Sequence, residues 1–401
     1  MNQNSAVYTL YGMAGSLYTG KVRAYLRRRG LPFVEKPAGG EEFKNTIVPK
    51  IGRWIIPVIV TPEGELLQDG SDIIDALEER HNASHELGPA VQPKGLMGVL
   101  SHLFALFGSE GLLRPAMHYR WNFDDDNLVF LKAAFEDVLP AGLSDEKLDQ
   151  AFLHSSGRMR KAGRSFGVIP ENFTAIEKSY EHFLGLLEAH FKKTPFLLGS
   201  YPTLGDYGLL GPLYPHLGRD PYPARLMQRI APHVLRWVER MNAPEEIADH
   251  VASIQGDGLF EDAAIPATLI SLLDYIAEDY LPEFKAHSVF TQAWLEHNPA
   301  IEAGTNGLAD PAARTIGVAT FEWRGRNIST AVMPYRFYLQ QRIVDAASAL
   351  NHQETERLRQ LLDSVATRPQ PQTRSRNNTH ARTLSLTHKH AVARYHTRNH
   401  D

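Results

Sequence analysis

The chain has no cysteine in 401 residues. That excludes disulfides, thiolate metal sites and a cysteine nucleophile of its own. It fits a reducing compartment, and a cytoplasmic location is expected. The opening "MNQNSAVYTLYGMAG" lacks a basic region followed by an apolar run, so no secretory signal is read there. No run of about 18 apolar residues stands out, so no membrane span is expected. Basic charge is scarce outside the C-terminus. From Thr367 to Asp401 seven Lys or Arg stand against one acid, and the rest of the chain holds 35 bases and 45 acids, a net of −10. An acidic body makes few phosphate contacts, so no nucleic-acid partner is expected. What remains is 43% apolar and 22% charged, the composition of a globular chain with about two or three domains.

Residues 1–83 read as one unit. "VYTLYG" is a short buried strand. "TGKVRAYLRRRGL" is a helix with Val22, Tyr25 and Leu26 on one face, Thr19 as its N-cap and Gly30 at its C-terminus. "PFVEK" is a second strand, and "EEFKNTIVPKIG" holds a loop and short helix. "IIPVIVTPEGELLQD" gives two strands about a "PEG" turn. "GSDIIDALEERH" is a closing helix with Ile73, Ile74 and Leu77 inward, capped by Asp69 or Ser71. The order β-α-β-α-β-β-α predicts an α/β unit with a mixed sheet.

Residues 92–245 carry helical spacing almost throughout. In "PTLGDYGLLG", Thr203 and Asp206 sit at i, i+3 like a capping box with Asp for Glu. "ARLMQRIAPHVLRWVERM" reads as a helix, and the stretch near 140–172 as looser, amphipathic and mobile. Residues 250–365 predict two helices, a hairpin about "RGRN", and one or two closing helices. Residues 366–401, with five His and seven bases, read as a disordered basic tail. Its "HKH" lacks paired helical spacing, and no metal is expected.

Four landmarks resemble the glutathione S-transferase superfamily. They are "SLYTGKVRAYL" after the first strand, "IIPVI" with Pro57 entering a strand, "LQDGSDIIDALEER", and the "PTLGDYGLLGPL" box. The likeness is to serine-type, bacterial-like members with a C-terminal extension. It implies an α/β thioredoxin-like N-terminal domain, then an all-α glutathione-transferase C-terminal domain, with an extra α+β C-terminal segment.

The resemblance also implies a chemistry, with glutathione as co-substrate. The tripeptide needs backbone pairing, an acceptor for its γ-glutamyl ammonium, and a group that holds its thiol as thiolate. A cis bond at Pro57 leaves Ile56 to pair with the cysteinyl backbone like an added strand; the other reading of Pro57 is an ordinary strand-entry proline. Asp69 is the candidate ammonium partner. Gly70 stands where the family usually has Ser, and Ser71 follows one place later. These residues otherwise form a plain N-cap. Ser16 is the candidate thiol activator. A hydroxyl donor at a helix N-terminus favours the anion of a thiol whose ordinary pKa is about 8.5. Leu17 replaces the Pro that usually follows it, and Tyr11 and Tyr18 are the competing donors. Without cysteine the chain forms no mixed disulfide, which leaves conjugation, isomerisation or peroxide reduction.

The electrophile pocket is expected between the two domains. "RPAMHYRWNF" offers Met117, Tyr119 and Trp121 as apolar lining and His118 and Arg120 as orienting groups, or else it is core. "YPHLGRDPYP" has the same two readings. The "EWRGRN" arginines read as a solvated turn. The expected function is a glutathione S-transferase-like homodimer acting on a small hydrophobic electrophile. The alternatives are a non-catalytic binding or scaffold protein of the same fold, and an adaptor whose basic tail meets an acidic partner.

Overall fold

The structure is a computed structural model and describes residues 7–82, 89–139, 142–243, 258–301, 308, 310 and 313–366. The first unit runs β1 (Tyr8–Gly12), α1 (Leu17–Arg28), β2 (Phe33–Pro37), α2 (Val48–Ile51), β3 (Val58–Val60), β4 (Leu66–Gln68) and α3 (Gly70–Asn82). The sheet order is β2-β1-β3-β4, with β1 parallel to β2 and the other pairs antiparallel. This is the mixed sheet of a thioredoxin-like domain. Tyr8, Leu10 and Tyr11 of the central β1 are all buried, as expected of a strand covered on both faces.

Helix α1 starts earlier than its apolar spacing suggests. Ser16, not Thr19, is the N-cap, in an extended conformation with its side chain accepting the Thr19 N–H. Thr19 is instead fully buried against Gly12, where an added Cβ would lie 2.2 Å from Thr19 Cγ2. At the other end Gly30 has φ +63°, the left-handed position that favours glycine after a helix.

The helical region holds α4 (Gly95–Leu106), a π-helical turn (Phe107–Gly111), α5 (Leu113–Trp121), α6 (Asp124–Glu136), α7 (Asp145–Ser165), α8 (Phe173–Phe191), α9 (Leu204–Leu213), α10 (Pro221–Ile230) and α11 (Pro232–Asn242). Gly95–Trp121 forms one rod long and apolar enough on average to cross a membrane, although Ser101, His102, Ser109, Glu110 and Arg114 interrupt it, so no run of 18 apolar residues occurs in it. Its most apolar 18-residue window is 89% buried within the protein. Two expectations change here. The stretch near 140–172 contains the 21-residue α7. Its small and basic residues hide a narrow buried stripe of Phe152, Ser156 and Gly163, which is enough to hold one face. The segment from Ala224 to Met241 is two helices, broken at Ala231 because Pro232 opens the second.

Helix α9 crosses the α4 rod at glycines. A Cβ on Gly208 would lie 2.5 Å from Ala105 Cα, and one on Gly108 would lie 2.4 Å from the Gly208 carbonyl carbon. Both obstacles are backbone, so neither can rotate away. Gly208→Ala is expected to cost about 1–3 kcal/mol as an overpacked crossing, measured by denaturant unfolding; an unchanged midpoint would refute the close approach. The capping box also forms. Asp206 Oδ2 accepts the Thr203 N–H at 2.9 Å, and Oδ1 accepts Leu197 N–H at 2.9 Å and Trp237 Nε1–H at 3.1 Å.

The extension contains α12 (Ala267–Asp279), α13 (Leu281–His297), the hairpin β5 (Gly317–Trp323) and β6 (Arg326–Val332), α14 (Tyr335–Ser348) and α15 (His352–Ala366). The hairpin alternates, with Ala319, Phe321 and Trp323 inward. Helix α12 packs on α8, α14 on α4, and α15 on both α12 and α4. Leu272, Leu339 and Leu361 thereby join one apolar core with Leu26 and Trp237. Arg324 of the turn is not solvated as expected. It bonds Asp279 at 2.8 Å and Glu278 at 3.1 Å and lies over the Tyr275 ring. The expected disordered tail lies outside the described residues beyond Ala366.

Candidate active site

Sheet register gathers the candidate residues. Tyr11 pairs with Val58, and Val58 with Gln68. The next residues in line, Gly12, Pro57 and Asp69, therefore lie abreast at one end of the sheet. The β1–α1 loop with Ser16, Ile56 and the start of α3 meet at that end. The Ile56–Pro57 bond is cis, as the resemblance implied.

Ser16 is half-buried at the mouth of α1. Its Oγ accepts the Thr19 N–H at 3.2 Å. A hydroxyl that accepts through a lone pair keeps its proton to donate, and the helix N-terminus adds its positive end. The two tyrosines are less suited. Tyr18 donates to Glu110 Oε1 at 3.1 Å. Burial, then that carboxylate, raises its pKa well above the ordinary value. Tyr11 is 2% exposed against Phe43. Burial, then Glu42, raises its pKa too.

The Ser16 loop is held from the helical region. Arg120 of α5 donates to the Gly15 carbonyl at 2.8 Å and to the Pro215 carbonyl at 2.7 Å. It also grips both oxygens of Asp220 at 2.7 Å. His216 Nε2 lies 3.1 Å from the same Gly15 oxygen, and Nδ1 3.1 Å from the Ala116 carbonyl. Burial, then Arg120, lowers the His216 pKa well below its usual value. A neutral ring donates to only one of its two carbonyls, so Arg120 is the constant donor to Gly15. The aromatic-and-charged loop "YPHLGRDPYP" thus holds Arg120 through Pro215 and Asp220 and reaches Gly15 through His216.

From Arg114 to Trp121 the segment "RPAMHYRWNF" is buried, whereas Asn122 is exposed and Phe123 half-buried. Met117, Tyr119 and Trp121 are at most 6% exposed. His118 is buried and bonded to Glu177 at 2.9 Å. His118 and Arg120 are both engaged by protein partners. A groove of about 400 Å³ is lined by Trp121, Asn122 and Phe123 of this segment together with Asp125, Arg160 and Phe173, and by none of Ser16, Ile56, Pro57, Asp69, Gly70 or Ser71.

Ser71 is turned inward. It is 1% exposed, and its Oγ accepts from Lys21 Nζ at 2.9 Å. Burial lowers the Lys21 pKa to about 8, against the opposing pull of Asp69. Gly70 has its nearest neighbours at 3.7 Å from an added Cβ, which is ordinary contact. Asp69 has φ 71° and its Oδ1 accepts the Ser71 N–H at 2.8 Å. Its other donor comes from the extension: Tyr335 Oη–H to Oδ1 at 3.2 Å.

Sequence reasoning missed a buried ionic seam beside these residues. Arg336 of α14 reaches Glu110 at 3.3 Å and Glu283 at 2.6 Å. Glu283 also takes Arg114 at 2.5 Å and the Thr330 hydroxyl at 3.1 Å. All four charged side chains are at most 4% exposed. The one readable signal was Glu110, a lone acid inside a long apolar run. Among the described residues no group of three or more His, Asp or Glu is placed to hold a metal ion.

Residues 10–85 match the family "Glutathione S-transferase, N-terminal domain". No curated protein matches the chain. Similar solved structures include the beta-etherase LigF from Sphingobium sp. strain SYK-6, at 18% identity and a TM-score of 0.42 over 61% of this chain and 97% of that one. A glutathione S-transferase from Methylobacterium radiotolerans JCM 2831, in complex with glutathione sulfonate, matches at 20% identity and a TM-score of 0.34 over 61% and 99%. The glutathione transferase GSTFuA3 from Phanerochaete chrysosporium matches at 16% identity and a TM-score of 0.42 over 60% and 98%. Residues 10–85 are thus similar to the N-terminal domain of glutathione S-transferases.

Proposed function

We propose that the chain is a glutathione-dependent transferase in which Ser16 holds the glutathione thiolate for attack on a small hydrophobic electrophile. One observation carries this reading: Ser16 caps α1 with its proton still available, while Tyr18 donates its own to Glu110 and Tyr11 is buried against Phe43. Ser16 is a donor here, not a nucleophile. Its O–H and the N-terminus of α1 favour the sulfur anion over the thiol. Asp69 takes the γ-glutamyl ammonium, the start of α3 at Gly70 and Ser71 faces the γ-glutamyl carboxylate, and Ile56 pairs with the cysteinyl backbone beside Pro57.

A hydrogen bond to a charged group contributes about 1.5–3 kcal/mol, so Ser16→Ala is expected to lower kcat/KM by about ten- to a hundredfold. It should also raise the pKa of bound glutathione, read from the pH dependence of thiolate absorbance. Unchanged turnover in the variant would remove Ser16 from the mechanism.

The second reading is a non-catalytic binding or scaffold protein. It is favoured by Ser71, whose hydroxyl is committed to Lys21 instead of a ligand. Calorimetry showing no heat with millimolar glutathione would select it.

A further inference from the structure

Helix α14 meets α3 through a matched series. Tyr335 donates to Asp69 at 3.2 Å, Tyr338 donates to Asp72, and Arg342 pairs with Asp75 at 2.5 and 2.8 Å. The donors stand at i, i+3 and i+7, and the acceptors at i, i+3 and i+6. Each set lies along one side of its helix. Two of the aspartates belong to the body of α3. The first, Asp69, is its cap and the candidate ammonium acceptor.

At Asp69 the two donors converge on one oxygen. The Ser71 N–H and the Tyr335 hydroxyl both bond to Oδ1. Two donors on Oδ1 set the plane of the carboxylate and leave Oδ2 for an incoming cation. Tyr335 remains a donor across the working range, because burial, then the charge of Asp69, raises its pKa well above the ordinary value.

We propose that Tyr335 is a positioning residue for the γ-glutamyl end of glutathione. From beyond the two-domain pattern, α14 holds Asp69 in the orientation that accepts the ammonium. This rests on the glutathione-dependent reading above. It makes the extension a working wall of the site rather than an appendage.

The test is calorimetry on the full chain with glutathione and with an analogue lacking the γ-glutamyl amino group. Wild type should bind glutathione more tightly than the analogue. Tyr335→Phe removes one hydroxyl and should weaken glutathione by about tenfold, the scale of a bond to a charged group, with the analogue unaffected. Tyr338→Phe removes a similar bond from the same helix pair and should leave both affinities unchanged. Equal weakening of both ligands in Tyr335→Phe, no weakening, tighter binding, or the same effect from Tyr338→Phe would overturn the proposal. If wild type binds neither ligand, the glutathione-dependent reading fails and takes this inference with it. If wild type discriminates and Tyr335→Phe does so equally well, only the inference fails.

Discussion

Glu283→Gln is expected to lower the unfolding free energy by about 3–5 kcal/mol, the usual loss when one member of a buried ion pair is removed. The carboxylate sits between Arg114 and Arg336, and all three are at most 4% exposed. An amide in its place leaves the buried Arg114 without its carboxylate and Arg336 with Glu110 alone. The effect should also depend on pH. Burial opposes ionisation of Glu283, but Arg336 and Arg114 outweigh it and lower its pKa from 4.5 to about 2. A carboxyl depressed on folding stabilises fully above its unfolded pKa and loses that contribution as pH falls through the folded one. The gap between wild type and Glu283→Gln should therefore narrow by roughly 3 kcal/mol from pH 4.5 down to about 2. Denaturant titrations across that range check it. A gap that stays constant would show that the charge is not what Arg114 and Arg336 hold.

Arg120→Ala should be comparably damaging, by about 3–5 kcal/mol. It leaves Asp220, whose side chain is fully buried, without its partner, and frees the Gly15 and Pro215 carbonyls. Burial already raises the Asp220 pKa, with Arg120 as the main opposing charge. The double variant Arg120→Ala/Asp220→Ala should therefore recover part of the loss, since no charge is stranded. The folded fraction of Arg120→Ala should also turn over more slowly than that of Asp220→Ala. Of these two residues, only the arginine touches the Gly15 carbonyl next to Ser16. A double variant no more stable than Arg120→Ala would show that burial of unpaired charge is not the cause.

The first domain was legible because its signals are local. Gly30 has the left-handed φ that a helix end favours. Ile73, Ile74 and Leu77 recur at helical spacing and are fully buried. Pro57 stands where a strand begins. Thr203 and Asp206 form a capping box three residues apart, so its parts are visible in any short window. The α1 cap was misread by three residues because Ser16 and Thr19 are both good cap residues. The choice between them came from Gly12, which leaves room only for the Thr19 side chain beneath it. The helix α7 is legible only as an amphipathic stretch, because its buried residues are few and its sequence is rich in small and basic residues.

The site was half legible. Ser16, Pro57 and Asp69 could be named as candidates from the sequence; register aligns Pro57 and Asp69 with Gly12 at one end of the sheet, next to the loop that carries Ser16. The groups that hold them were not found, because their partners are remote in the chain. Arg120 lies 105 residues from Gly15, and Tyr335 lies 266 residues from Asp69. An arginine among aromatics looks the same whether it faces a substrate or a buried aspartate.

By itself, then, the sequence determined the strand and helix order of the first domain, the helical character of the second, the hairpin of the third, and the residue types available for thiol chemistry. These follow from spacing, capping and turn preferences that act within a few residues. Only the tertiary structure decided that Ser71 turns inward to Lys21, that Arg120 is spent on Gly15 and Asp220, and that α14 reaches Asp69. Those outcomes depend on which buried charge meets which partner, and burial makes each match worth several times what it would be in water.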